Sequence, residues 1–233
     1  MYVVRYARRD MCGRYILAQL AAAERAFKLA TSQWHFSASF NIAPTQSVPV
    51  VRAREGVREG LLMRWGLIPF FAHGVPPKYS TINARIETLP SAPSYRTPWK
   101  RGQRCIMPAS GFYEWHSPSE GARQPYYIHL ADQEVFGFAA LWDRSVREDG
   151  SALESCAIVT MPANALLKQI HNGRERMPAI LRVEDHAAWL SAAPEEALRL
   201  LAPYPAELMV AYRVSPRVNS PRNNDPRLIE ALA

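Results

Sequence analysis

The chain has 233 residues, 48% of them hydrophobic, enough to bury a sizeable core in one large domain or two small ones. It holds no run of about 18 apolar residues, and Met1–Asp10 carries Arg5, Arg8 and Arg9 without an apolar stretch, so neither a membrane span nor a secretory leader is expected. The net charge of +7 points to a polyanionic partner, and the 3 cysteines, odd in number and far apart, argue against a disulfide framework and for a reducing compartment.

In chain order, residues 19–30 are Ala-rich with apolar positions at helical spacing and predict a helix. Phe40-Asn41-Ile42-Ala43-Pro44 reads as a turn, because Pro44 disfavours helix at its predecessor. Ser47–Ala53 and Leu61–Trp65 predict the strands of a hairpin, with Arg54-Glu55-Gly56 at its turn. Trp65-Gly66-Leu67-Ile68-Pro69 begins a Pro- and Gly-bearing loop through Pro77, of the kind that often carries function. Strands are predicted at Arg104–Pro108, Gly111–His116, Tyr126–Leu130, Val135–Trp142 and Ser155–Thr160. Helices follow at Asn164–Ile170, Glu184–Leu190 and Pro194–Leu201, then a last strand at Leu208–Val214. The fold class expected is α+β: a β-rich single domain with a curled, barrel-like sheet and peripheral helices.

Generic motifs mostly fail. The sequence has no phosphate-binding Gly-rich loop, no H-E-x-x-H, no C-x-x-C and no G-x-S-x-G. Its histidines and cysteines lack metal-ligand spacing, so neither a metal nor an organic cofactor is expected.

Met11-Cys12-Gly13-Arg14-Tyr15 looks like a true start displaced by ten residues. With Met11 gone, Cys12 would carry an α-amine and a thiol on adjacent carbons. Such an amine, titrating at about 7.7–8.0, is substantially neutral near physiological pH and can form a Schiff base with an aldehyde. The adjacent thiol can then close on the imine carbon, because proximity makes that step unimolecular. On residue type alone, a lone cysteine is more often a buried structural one.

Met11–Tyr15 is followed in order by Phe40–Pro44, Trp65–Pro69, Ile82-Asn83-Ala84-Arg85-Ile86-Glu87, Gly111-Phe112-Tyr113-Glu114-Trp115, Ile158-Val159-Thr160, Ala163-Asn164, Ile170-His171 and Val214-Ser215 through Val218-Asn219. This series resembles the SRAP family, the SOS-response-associated peptidases or abasic-site processing proteins, from Met11 to about Glu230. Each motif alone is weak; the ordered set is specific.

The resemblance implies covalent capture of abasic sites in single-stranded DNA by an N-terminal cysteine, forming a thiazolidine crosslink. That residue would be exposed by self-processing or by an aminopeptidase, with lyase activity and crosslink reversal as secondary expectations. The family's catalytic cysteine, asparagine, glutamate and histidine fall on Cys12, Asn83, Glu114 and His171. Asn83 could hold the amine or the lesion sugar, and Glu114 could shuttle protons in ring opening and in cleavage before Cys12. His171 could exchange protons with the imine. Arg14 and Arg85 are the candidate phosphate ligands, Trp65 a candidate platform for a base, and Pro44 and Thr160 candidate pocket residues. Residues 1–10 are read as an extension that is removed or as a mis-assigned start, and 11–233 as one SRAP-like domain. The partners expected are single-stranded DNA with abasic sites and, more remotely, replication-fork proteins. The protein is expected to be a cytoplasmic, nucleoid-associated monomer without a membrane partner. Two rivals stand beside this reading. One is a cysteine peptidase acting in trans through Cys12 and His171. The other is a non-covalent single-stranded DNA-binding module.

Overall fold

A computed structural model describes residues 12–119, 121–172 and 175–232. The expectations for Met1–Met11, and for the loop positions Gly173 and Arg174, lie outside the described residues. In chain order the elements are β1 (Tyr15–Leu17), α1 (Leu20–Ala26), β2 (Thr31–Ser32), β3 (Ser39–Ile42), β4 (Ser47–Arg54), β5 (Val57–Trp65), β6 (Asn83–Arg85), α2 (Arg96–Lys100), β7 (Arg104–Ala109), β8 (Gly111–His116), β9 (Gln124–Leu130), β10 (Phe136–Val146), β11 (Ala152–Pro162), α3 (Ala165–His171), β12 (Arg176–Pro178), β13 (Ile180–Leu181), α4 (His186–Ser191), α5 (Pro194–Arg199) and β14 (Met209–Arg213).

Strands β11, β10, β7, β4 and β5 neighbour one another in that order, and β5 returns to β11, so the sheet closes on itself. The closing contact is parallel, Ser155 opposite Arg64 and Cys156 opposite Trp65. The curled, barrel-like sheet expected from the sequence is therefore present. The hairpin β4–β5 turns at Glu55 and Gly56, both with positive φ (53° and 79°), as a two-residue hairpin turn demands. Strand β7 is buried at every residue, which fits its near-continuous apolar run better than alternation would.

A second, antiparallel sheet has the order β14-β9-β8-β1-β3. Gly111 opens β8 because the Tyr127 ring fills the space where a side chain would stand, so that an added Cβ would collide with it. Helix α4 packs on the barrel, with Trp189 Nε1–H donating to Cys105 O at 2.9 Å. No helix among the described residues is long and apolar enough to cross a membrane.

Several predicted bounds move. Phe40–Ile42, expected in a turn, belong to β3, because Pro44 restricts only the residue before it and leaves 39–42 to pair with β1. The first helix stops at Ala26, and Lys28 beyond it takes a positive φ of 50°. β10 and β11 run further than predicted because each continues pairing with the other as far as Val146 opposite Ala152.

Candidate active site

Cys12 stands just ahead of β1, with a positive φ of 49° that is uncommon for a residue bearing a Cβ. Its side chain is enclosed, 3% exposed. A Cβ added at neighbouring Gly13 would meet nothing within 4 Å, so the chain beside Cys12 borders open space.

Glu114 lies on β8 between Tyr113 and Trp115. Alternation along the strand puts it on the same face as Phe112 and buries it, 3% exposed. A buried carboxylate needs partners for both oxygens, and it has them. The Cys12 backbone N–H donates to Glu114 Oε1 at 2.7 Å. His171 Nε2 lies 2.6 Å from Glu114 Oε2. His171 is the last residue of α3, whose first turn is capped by Asn164 Oδ1 accepting from Leu167 N–H at 2.9 Å. Three chain segments far apart in sequence thus meet on one carboxylate, in the order Cys12 nitrogen, Glu114, His171.

Burial pushes the Cys12 thiol well above its ordinary range, and the charge and hydrogen bonding of Glu114 push it the same way. Arg176 acts in the opposite direction. That arginine is fixed by a two-pronged pairing with Glu87, at 2.8 and 2.9 Å, and by donating to Thr160 O at 2.7 Å. The guanidinium in turn holds the Glu87 carboxyl below its ordinary range. Arg176 and Glu87 went unassigned in the sequence, although Glu87 closes the Ile82–Glu87 motif.

Asn83 opens β6, which runs parallel to β11 with Asn83 opposite Ile158 and exposed Arg85 opposite Thr160. Tyr95 Oη–H donates to Asn83 O at 3.0 Å. Asn83 therefore stands on a different element from Cys12, Glu114 and His171, on the strand that pairs with the stretch of β11 carrying Thr160.

The predicted nucleic-acid contacts separate into two groups. Arg85 is exposed, and Pro44 is half-buried at the turn after β3. Trp65, by contrast, is 0% exposed, with its Nε1–H donating to Ile82 O at 3.1 Å. It has no face to offer a base, because its indole is core for the closing strand β5. Thr160 is also enclosed and holds Arg176. Arg14 donates to Asn41 Oδ1 at 3.1 Å and to Val218 O at 2.8 Å, which ties β1 to the C-terminal segment. Exposed aromatics occur instead on the loop from β5 to β6: Phe70 (40%), Phe71 (46%) and Tyr79 (54%), with the Arg101 guanidinium 5.4 Å from the Phe70 ring centroid. The adjacent Phe70-Phe71 pair inside a Pro-flanked loop was the sequence signal for them. Among the described residues, no group of three His, Cys, Asp or Glu side chains is placed to hold a metal ion.

The family model for the SOS response associated peptidase (SRAP) matches residues 11–221. The chain is 38% identical over 228 residues to the abasic site processing protein YoqW of Bacillus subtilis, a match spanning 95% of this chain and all of that protein. It is 29% identical to the abasic site processing protein HMCES of Mus musculus, over 94% of this chain and 75% of that one. A crystal structure of a protein from Bacteroides thetaiotaomicron superposes with a TM-score of 0.83 at 29% identity, covering 95% of this chain and all of the other. The chain belongs to the SOS response associated peptidase family.

Proposed function

We propose that this protein captures abasic sites in single-stranded DNA covalently through Cys12, once that residue has become the amino terminus. The observation that carries the reading is Glu114, which takes the Cys12 nitrogen on one oxygen and His171 on the other. A terminal amine at the position of the present peptide nitrogen would share a carboxylate with an imidazole, as amine chemistry with proton relay requires. The relatives named for abasic-site processing support the substrate.

In this mechanism the abasic sugar opens to its aldehyde, with Glu114 exchanging protons at the sugar oxygen. The amine adds to the aldehyde carbon, and the carbinolamine loses water to give a Schiff base, with its protons passing through Glu114 and His171. The Cys12 thiol then adds to the imine carbon, its proton going to the imine nitrogen, and the thiazolidine closes. Asn83 holds the amine or the sugar. Arg85 takes phosphate, Arg176 with Thr160 shapes the wall, and Phe71 or Tyr79 offers a face for a base. Cleavage before Cys12, by the protein itself or by an aminopeptidase, precedes capture. β-Elimination from the Schiff base would give strand cleavage as a side activity. Cys12, Asn83, Glu114 and His171 all come from one chain, so a monomer suffices. The protein acts where the cell's DNA is exposed as single strand, in reach of the replication fork.

A cysteine peptidase acting in trans would pair His171 with the thiol. Here His171 is paired with Glu114. The deciding experiment incubates protein beginning at Cys12, verified by mass spectrometry, with single-stranded DNA bearing one abasic site, then runs a denaturing gel. A heat-resistant shifted band that is absent with undamaged strand and absent for Cys12→Ala is the expected result. Its absence from the wild-type lane would sink covalent capture. Equal, purely non-covalent binding of both strands would make the protein a single-strand binder.

A further inference from the structure

The helix end that delivers His171 is fastened to β8 by contacts that the chemistry above leaves unused. Tyr113 N–H donates to Arg14 O at 3.0 Å, which marks the edge of β8 that faces β1. Alternation brings the N–H and C=O of Ser117 back to that edge four residues on, past the last pairing with β1 at Phe112. Asn172 takes both: Ser117 N–H donates to Asn172 Oδ1 at 3.1 Å, and Asn172 Nδ2–H donates to Ser117 O at 2.6 Å. One residue earlier on β8 and two earlier on α3, His116 Nδ1 lies 3.0 Å from Ile170 O. The end of α3 therefore docks on β8 and the residue after it by three contacts, Glu114 with His171, His116 with Ile170 and Ser117 with Asn172.

Asn172 also ends the helix, with φ 27° and ψ 61°. Asparagine tolerates positive φ better than most residues with a side chain. One residue thus both stops α3 and supplies an amide that imitates the pairing of a neighbouring strand.

We propose that Asn172, assisted by His116, is a positioning residue that holds the His171 ring against Glu114 and so sets the proton relay. The proposal rests on the reading of Cys12, Glu114 and His171 as the reacting groups. It goes beyond that reading in giving a role to two residues that touch no reacting atom.

The variants are Asn172→Gly and Asn172→Asp. Glycine keeps the left-handed backbone without strain, so any loss belongs to the amide. Aspartate keeps the acceptor for Ser117 N–H and loses the donor to Ser117 O. The readouts are the ring-nitrogen NMR titration of His171 in the free protein, the pH profile of the single-turnover crosslinking rate, and affinity for undamaged single strand. For Asn172→Gly the expected result is a rate lower by about 10–100-fold. The His171 titration midpoint moves with it, and affinity for undamaged strand stays within about twofold, since no strand contact is lost. Asn172→Asp falls between the wild type and Asn172→Gly. An unchanged His171 titration in both variants overturns the proposal. If wild-type protein forms no crosslink at all, abasic capture fails. The His171 titration then still decides the clamp, a shift in the variants sustaining it and none overturning it. If Asn172→Gly does not fold, Asn172→Asp carries the same readouts.

Discussion

Glu114 offers two acceptors to two different segments, and an amide cannot do the same. In Glu114→Gln one oxygen becomes an NH2 group, so either the Cys12 N–H or the His171 contact meets a donor where it had an acceptor. The crosslinking rate is expected to fall by about 10²–10⁴-fold, the range of general acid–base catalysis, while affinity for undamaged single strand changes by less than about twofold. Single-turnover gel kinetics beside fluorescence anisotropy separates the two. Equal losses in rate and affinity would show that Glu114 only supports the fold. At the same scale, Asn41 is a buried amide whose Nδ2 donates to Val218 O, Ser220 O and Asn223 O while its Oδ1 accepts from Arg14. Asn41→Ala removes all three donations; Val218 O keeps Arg14 and Ser220 O keeps the Asn223 N–H, while Asn223 O loses its donor. It is expected to cost about 1–3 kcal/mol in denaturant unfolding and to expose residues 215–232 to protease before the rest of the chain.

Strand β8 carries Glu114, so what fixes β8 fixes the site. Gly111 at its start lies under the Tyr127 ring, which also donates its hydroxyl to Ser110 O at 3.2 Å. Gly111→Ala would force ring and strand apart, with an expected cost of about 1–3 kcal/mol, as for other overpacked interiors. The decisive comparison is crosslinking under conditions where the variant is still folded. A reduced rate there means that a small displacement of β8 reaches the carboxylate, and an unchanged rate means that the sheet absorbs it. The β5–β6 loop works differently. It leaves the barrel at Trp65 and returns with Leu67 N–H bonded to Thr81 O at 3.1 Å, so Asn83 is delivered by a segment anchored to the core at both ends.

Across the whole molecule, His186 couples the fold to pH. Its ring is stacked on Phe27 with centroids 5.0 Å apart, is 2% exposed, and neither ring nitrogen has a hydrogen-bond partner among the described residues. Burial, then the charge of Arg58, lower its pKa to about 4, with Glu184 pulling weakly the other way. The unfolded chain takes up the proton first. Stability is therefore whole above about pH 6.5 and declines as the pH falls toward 4, by about 3 kcal/mol in all. Thermal melts between pH 7 and 4 should show this slope, and His186→Phe should flatten it. A slope unchanged in the variant would assign the loss to other groups. The net charge of +7 predicts salt-sensitive binding of single strand. Arg85→Ala should lower the slope of log K against log salt by about 0.7, the contribution of one phosphate contact on a single strand.

Much of the family and part of the fold could be read along the chain. The order of its motifs identified the family and singled out Cys12, Glu114 and His171 as candidates, because motifs of a few residues leave local signatures. The β4–β5 hairpin and the long strands β10 and β11 were legible from short apolar runs and turn residues, since those signals lie within a few residues of each other. Strands β1, β6 and β12, three residues each, left no pattern, because they exist only through partners far away in the chain. Trp65 shows the same limit at one residue. An aromatic in a functional motif reads equally well as a platform or as core, and only the closure of β5 onto β11 made it core. Tertiary structure alone decided that Glu114 joins the Cys12 nitrogen to His171, that Arg176 is held by Glu87, and that Asn172 clamps the end of α3. Each is a contact between segments distant in sequence, and such contacts are set by packing, which no local window of residues contains.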